Sequence, residues 1–279
     1  MDPILFAGGD QRTLAALSYM QNQGYSTETY AVTHRFPLQK RIFSALILPF
    51  PCLKQGRLNA PMLKAPPTLT ELIAETGINP EKIPVIGGPL TENPFSHYTD
   101  LSLSEELKLR NAVTTAEGAL SLLIQNTDRA LFGMPILIVG YGAIGKRLSR
   151  LLLSLGAEVT VAARKEKDRV AAALAGCGTQ DTATIRLKGF RGLINTVPVP
   201  LIDRPLLEQR EKDLCILELA SPPYGMDPSL AEEMGIHYIP GPALPGKVAP
   251  LTAGEDLAKT LILLLSEMKA KGSDTSFGT

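Results

Sequence analysis

The 279-residue sequence carries 28 basic and 28 acidic side chains and is 44% hydrophobic, which suits two ordinary domains with real cores. A neutral chain has no general attraction for nucleic acid or anionic lipid, and without tryptophan it lacks the aromatic platforms that stack bases. The three cysteines, Cys52, Cys177 and Cys215, show neither a disulfide framework nor metal-ligand spacing and suit a reducing cytoplasm.

The opening Met1-Asp2-Pro3 does not read as a secretory signal, and the apolar run Leu261 to Leu265 is far too short to span a bilayer. Ile4 to Ala7 reads as a strand, followed by Gly8-Gly9-Asp10-Gln11-Arg12, a helix to about Asn22 and a strand over Thr27 to Val32. This strand–glycine–helix unit lacks the full dinucleotide fingerprint, so it is read as facing a substrate rather than a dinucleotide. Asp10 suits a helix cap. Arg12 is a cation in a first turn, where the helix dipole disfavours it, and is a candidate contact for an anion. Ala45 to Leu48 is a buried strand, and the loop from Pro49 to Met62 is a candidate lid carrying Lys54 and Arg57. Proline and glycine then dominate to Pro94, broken by a helical piece near Thr70 to Thr76 and a strand near Val85. His34 and His97 are expected at the surface.

At the junction, Thr114 and Glu117 have capping-box spacing ahead of an amphipathic helix reaching about Phe132. That reading places Thr114, Thr115 and the first-turn N–H groups at an interdomain cleft, as candidate grips on a substrate carboxylate.

The next stretch organises the chain. Ile136 to Val139 is an apolar run that stops at Gly140-Tyr141-Gly142-Ala143-Ile144-Gly145, and a leucine-rich helix and a second apolar run, Val159 to Ala163, follow. Strand, G-x-G-x-x-G, helix and strand fill the roughly ~30 residues of a dinucleotide-binding unit. Gly140 suits the sharp turn, Gly142 the approach of backbone to pyrophosphate, and Gly145 close helix–strand packing. An acidic residue for the ribose 2′-OH is expected about ~20 residues on, but Ala162-Ala163-Arg164-Lys165 stands there. Two cations suit a 2′-phosphate, so NADP is preferred to NAD.

A helix over Arg169 to Ala175 and a weak strand near Thr184 to Arg186 lead to Leu193-Ile194-Asn195-Thr196-Val197-Pro198. That strand and polar turn suit the nicotinamide half of the cofactor, as does the next, ending Ala220-Ser221. With His237 packed in a further strand, five parallel strands in series imply a doubly wound domain. The rigid Gly241 to Pro250 segment holds Lys247, a candidate substrate cation, and precedes a helix over 252–268 that returns to the first domain. The tail from Lys269 is expected to be disordered. The fold expected is thus α/β with two Rossmann-like doubly wound domains and a cleft between them. Residues 1–114 plus the returning helix form the substrate or partner domain, 115–132 the interdomain helix, and 133–251 the dinucleotide domain.

The sequence resembles the dipicolinate synthase A-subunit family of spore-forming bacteria over nearly the whole chain. The resemblance rests on Gly8-Gly9-Asp10 with Arg12, Asn111 with Thr115 and Glu117-Gly118, the fingerprint with Ala163-Arg164, Asn195 to Pro198, Leu219-Ala220-Ser221, and Pro245-Gly246 through Val248-Ala249-Pro250 to Thr252-Ala253-Gly254. It implies NADP-type cofactor use and oxidation of a dihydrodipicolinate-type intermediate from the lysine branch to pyridine-2,6-dicarboxylate. It also implies, as partner, a flavoprotein-like B-subunit, with a mother-cell cytoplasmic setting during sporulation. Departures are Ser221-Pro222-Pro223-Tyr224-Gly225 where the family has Ser-Arg-Pro-Gly-Gly, Thr114 for a proline, and Ala143 where an arginine can occur. A dicarboxylate product calls for cations and donors, for which Arg12, Thr114, Thr115 and Lys247 are the candidates. Asp10 and Glu117 are the only candidate bases, and no histidine–carboxylate dyad is visible. A two-domain 2-hydroxyacid or amino-acid dehydrogenase and a non-catalytic NADP-binding scaffold stay open, as does self-association.

Overall fold

A computed structural model describes residues 2–36, 38 and 42–274, the side chains of residues 269 and 271–274 excepted. The chain divides into two units, residues 1–111 with 249–279, and residues 112–248.

The first unit begins with the buried strand β1 (Ile4–Ala7). Gly8 and Gly9 follow at φ 70° and 110°, and Asp10 caps α1 (Gln11–Asn22) by accepting the Arg12 N–H at 2.9 Å. The chain continues through β2 (Thr27–Tyr30) and β3 (Ala45–Ile47) to a small antiparallel hairpin of β4 (Leu53–Lys54) and β5 (Arg57–Leu58). Gln55 and Gly56 turn the hairpin, both at positive φ as a two-residue primed turn requires. Helix α2 (Leu69–Thr76) starts at a capping box of Thr68 and Glu71 and ends at left-handed Gly77. Strands β6 (Pro84–Gly87) and β7 (His97–Asp100) complete a five-stranded sheet of order β2-β1-β3-β6-β7, parallel throughout. Apolar clusters cover both its faces, one around Leu5, Leu46 and Val85, the other around Phe6, Ile47 and Ile86.

Helix α3 (Glu105–Gln125) crosses the unit boundary. It begins ten residues earlier than the sequence suggested, because Ser104 caps it by accepting the Leu107 N–H at 3.2 Å and Glu105 and Glu106 sit in its first turn. Thr114 and Glu117 are therefore mid-helix and form no capping box. The helix stops at Gln125, well short of Phe132, which is exposed.

The second unit alternates β8 (Pro135–Val139), α4 (Ala143–Ser154), β9 (Glu158–Ala162), α5 (Glu166–Leu174), β10 (Gly178–Gln180), β11 (Gly192–Asn195), α6 (Arg204–Leu207), β12 (Cys215–Glu218), α7 (Pro228–Glu233) and β13 (His237–Pro240), then the short α8 (Leu244–Val248). Its sheet has six parallel strands, not five, in the order β10-β9-β8-β11-β12-β13. The third lies at Gly178–Gln180; no strand forms near Thr184 to Arg186, where one was expected, and Thr182–Thr184, capped by Asp181, is a 3₁₀ turn. His237 opens β13 and is exposed, not packed. This is the Rossmann order, in which the strand sequence reverses between β8 and β11. The first sheet reverses in the same way between β1 and β3.

Helix α9 (Pro250–Asp274) belongs to the first unit and packs on α1. A Cβ on Gly254 would stand 2.4 Å from the Arg12 carbonyl and 2.5 Å from Ala15 Cβ. The helix carries Ala258, Leu261 and Leu265 into the core and runs beyond 268, so the expected disordered tail is helical to Asp274; residues 275–279 lie outside the described residues. No helix among the described residues is long and apolar enough to cross a membrane.

Candidate functional site

Ligands of open parallel sheets bind beyond the carboxyl ends of the strands, at the switch point. In the second unit that place is the fingerprint turn. Gly140 sits at φ 102°, and a Cβ there would lie 2.3 Å from Thr196 Oγ1. A Cβ on Gly145 would lie 2.2 Å from the Gly140 carbonyl oxygen. Gly142 differs: its φ is an ordinary −77°, and among the described residues, its two chain neighbours apart, no atom comes within 4 Å of the position its Cβ would take. Packing explains two of the glycines, and open space beside the third fits a phosphate. Gly142 is also the N-cap of α4 and makes no side-chain cap hydrogen bond, so the cap leaves the first-turn N–H groups without a side-chain acceptor. Tyr141 is buried with Lys146 Nζ 5.6 Å from its ring centroid, while Ala143 and Ile144 are half-buried.

At the end of β9, Arg169 closes the turn. Its Nη1 donates to the Ala163 and Arg164 carbonyls at 2.8 and 2.9 Å and to Asp181 Oδ2 at 2.6 Å. The nearby acid is thereby occupied. Arg164 and Lys165 are exposed on this fixed turn and pair with no carboxylate among the described residues. They suit a doubly charged phosphate, and the absence of an acid at Ala163 removes the usual partner of a free ribose 2′-OH.

Across the switch point, Thr196 Oγ1 donates to the Val139 carbonyl at 2.8 Å, tying the β11 turn to β8. Val197 is half-buried, Pro198 and Ser221 are exposed, and Ala220 is buried. The Ala220 N–H donates to Glu218 Oε1 at 2.8 Å. Glu218 escaped the sequence reading. Its only signal is a lone acid inside the apolar stretch Cys215-Ile216-Leu217-Glu218-Leu219-Ala220.

The switch point of the first sheet carries a pocket lined by Gly9, Arg12, Thr13, Pro49, Phe50 and Asn111, among others. Arg12 Nε donates to both Asp10 oxygens at 3.0 and 3.1 Å, and Nη2 to Asp10 Oδ2 at 2.8 Å and to the Phe50 carbonyl at 2.9 Å. Asp10 is thus both cap and counter-ion, which argues against it as a free base, while Arg12 presents Nη1 as its remaining donor. In the candidate lid, Arg57 donates to the Pro66 carbonyl at 2.8 Å and lies 3.7 Å from Glu71; Lys54 is exposed.

The remaining candidates belong to the second unit. Thr114 and Thr115 are buried in the interior of α3, so first-turn N–H groups are not available beside them; the helix has already begun at Glu105. Glu117 is exposed on the same helix, and Lys247 is exposed in the last turn of α8. None of the three cysteines suits nucleophilic work. Burial pushes the Cys52 thiol up to about 11 and raises Cys177 and Cys215 as well, keeping all three from the reactive thiolate form.

No family model matches the sequence. The Bacillus subtilis (strain 168) dipicolinate synthase A-subunit is 34% identical over 169 residues, 60% of this chain and 57% of that protein's length. The crystal structure of the dipicolinate synthase A-subunit from Bacillus halodurans superposes with a TM-score of 0.85 at 26% identity, covering 95% of this chain and 97% of that one. The chain is similar to the dipicolinate synthase A-subunit, and its aligned stretch spans less than two thirds of that curated protein's length. A D-lactate dehydrogenase from Sporolactobacillus shares the fold at 13% identity, with a TM-score of 0.66 and coverage of 98% and 97%.

Proposed function

We propose that the chain is an NADP-dependent oxidoreductase that converts a dihydrodipicolinate-type intermediate to pyridine-2,6-dicarboxylate, alongside a B-subunit, in the cytoplasm of a sporulating cell. The observation that carries the cofactor reading is Gly142, whose glycine the protein itself does not require. In this reading Gly142, Ala143, Ile144 and Gly145 present backbone N–H groups to the pyrophosphate. Tyr141 packs beneath that turn, and Arg164 with Lys165 takes the 2′-phosphate. The turns Thr196-Val197-Pro198 and Ala220-Ser221 border the nicotinamide half. Bound there, NADP supplies the hydride acceptor.

The substrate loses a hydride and a ring proton and gains aromaticity, so the main demand on the protein is orientation, a contribution of several kcal/mol. A dicarboxylate needs fixed donors and cations, and the Arg12 Nη1 edge at the first switch point is the best-placed one. Thr114, Thr115 and Lys247 stay as proposed contacts, Glu117 as a proposed base. A 2-hydroxyacid dehydrogenase mechanism needs a histidine beside the nicotinamide. Among the described residues His237 opens β13, at the strand end opposite the fingerprint turn of its own sheet; His97 opens β7 of the first sheet, at the strand end opposite that sheet's glycine turn, and His34 lies outside the sheets.

The test mixes the purified chain with NADP and freshly generated dihydrodipicolinate precursor, with and without the B-subunit, and follows NADPH and the aromatic product together. Equal growth of both signals supports the proposal. Cofactor binding without turnover in either mixture overturns it and leaves a scaffold or another acid as substrate.

A further inference from the structure

Glu218 is 3% exposed, yet no Lys, Arg or His nitrogen among the described residues pairs with it. A buried carboxylate without a counter-ion is unfavourable unless its oxygens are well supplied with donors. Three N–H groups supply them. Asn195 Nδ2 donates to Oε1 at 2.7 Å, the Ala220 N–H to Oε1 at 2.8 Å, and the Gly225 N–H to Oε2 at 2.9 Å.

The partners matter more than their number. Asn195 is fully buried and clasps the next turn from both sides: its Oδ1 accepts the Val197 N–H at 3.2 Å and its Nδ2 donates to the Val197 carbonyl at 2.9 Å. The Glu218 backbone carbonyl accepts the Gly241 N–H at 2.8 Å. The Glu218 side chain therefore binds the turns that follow β11 and β12 into a single wall, and its backbone carbonyl, as any residue's would, adds the start of the turn after β13. The wall is tightly closed, since a Cβ on Gly225 would stand 2.4 Å from Asn195 Nδ2. A leucine would suit the strand core better, so packing alone does not explain the acid.

A dinucleotide lies across a Rossmann switch point with its two halves on opposite sides of the first strand. Arg164 and Lys165 follow β9 and mark the adenosine side; the wall held by Glu218 is on the other. We infer that Glu218 is a positioning residue for the nicotinamide half: it touches neither cofactor nor substrate but fixes, through Asn195 and the Ala220 and Gly225 N–H groups, the turns that do. The inference rests on the dinucleotide reading above.

The experiment titrates NADPH and adenosine 2′,5′-bisphosphate, which lacks the nicotinamide half, into the wild-type chain and Glu218→Gln. The glutamine amide keeps the size but sets an N–H against at least one of the three donors. Affinity for NADPH should fall by about tenfold or more, with adenosine 2′,5′-bisphosphate held within about twofold. Equal losses for both ligands make Glu218 merely structural and overturn the inference, as does no loss for either. Should Glu218→Gln fail to fold, Gly225→Ala crowds Asn195 from the other side and carries the same expected split. A wild-type chain that binds neither ligand removes the dinucleotide reading and the inference together. Binding of adenosine 2′,5′-bisphosphate without any gain for NADPH removes the inference alone.

Discussion

Gly140 and Gly145 are glycine because a Cβ at either would strike the protein within 2.3 Å, on Thr196 Oγ1 and on the Gly140 carbonyl respectively. Gly142 meets nothing, and its φ suits any residue. Substitution separates the two cases. Gly145→Ala forces backbone apart and should destabilise the fold by about 1–3 kcal/mol. Gly142→Ser adds a good N-cap to α4, so stability should hold or rise by up to about 1 kcal/mol, while the hydroxymethyl group fills the open space that the proposed pyrophosphate would take. Denaturant melts and NADPH titration of both variants check this. Equal stability losses, or undiminished NADPH binding by Gly142→Ser, would contradict the account. The spacing of these glycines was legible in the sequence, but which of them the protein itself demands was not, because Thr196 lies more than fifty residues away and reaches Gly140 only in the folded sheet.

At the scale of elements, helix starts were the least legible feature. Thr114 and Glu117 satisfy the capping-box pattern, but Ser104 with Glu105 and Glu106 satisfies the same physics earlier, and a helix once started propagates through a second signal. A local pattern cannot report that the helix is already under way. The short strand at Gly178–Gln180 was missed for a related reason: it is half polar, lies at the sheet edge and pairs only with β9. Helix α9 packs on α1, and the tightest point of that contact is Gly254, 2.4 Å from the Arg12 carbonyl as a Cβ would stand. Gly254→Ala should therefore lower stability by about 1–3 kcal/mol despite alanine's better helix propensity. A denaturant midpoint equal to or above the wild-type value would show that the α1–α9 contact is looser than the structure has it.

For the whole molecule, two sheets with different strand orders each place their glycine turn at a switch point. Only the second couples that turn to an uncapped helix start and to two cations that meet no carboxylate among the described residues. The sequence carried most of this, because parallel β/α units announce themselves by apolar runs ending in glycine. It could not carry the Glu218 wall, whose members are scattered from Asn195 to Gly241 and meet only at the strand ends. Nor could it show that Asp10 occupies most of Arg12, since adjacent opposite charges pair or not according to helix geometry. The central claim is that the second unit binds NADP through Gly142 and the Arg164–Lys165 turn. Its most direct test titrates NADPH and NADH into the wild-type chain and into Arg164→Ala/Lys165→Ala. The account predicts a wild-type preference for NADPH of at least about tenfold, lost in the double variant through weaker NADPH binding alone. Equal affinity for the two cofactors in the wild type, or a preference for NADH, would contradict it.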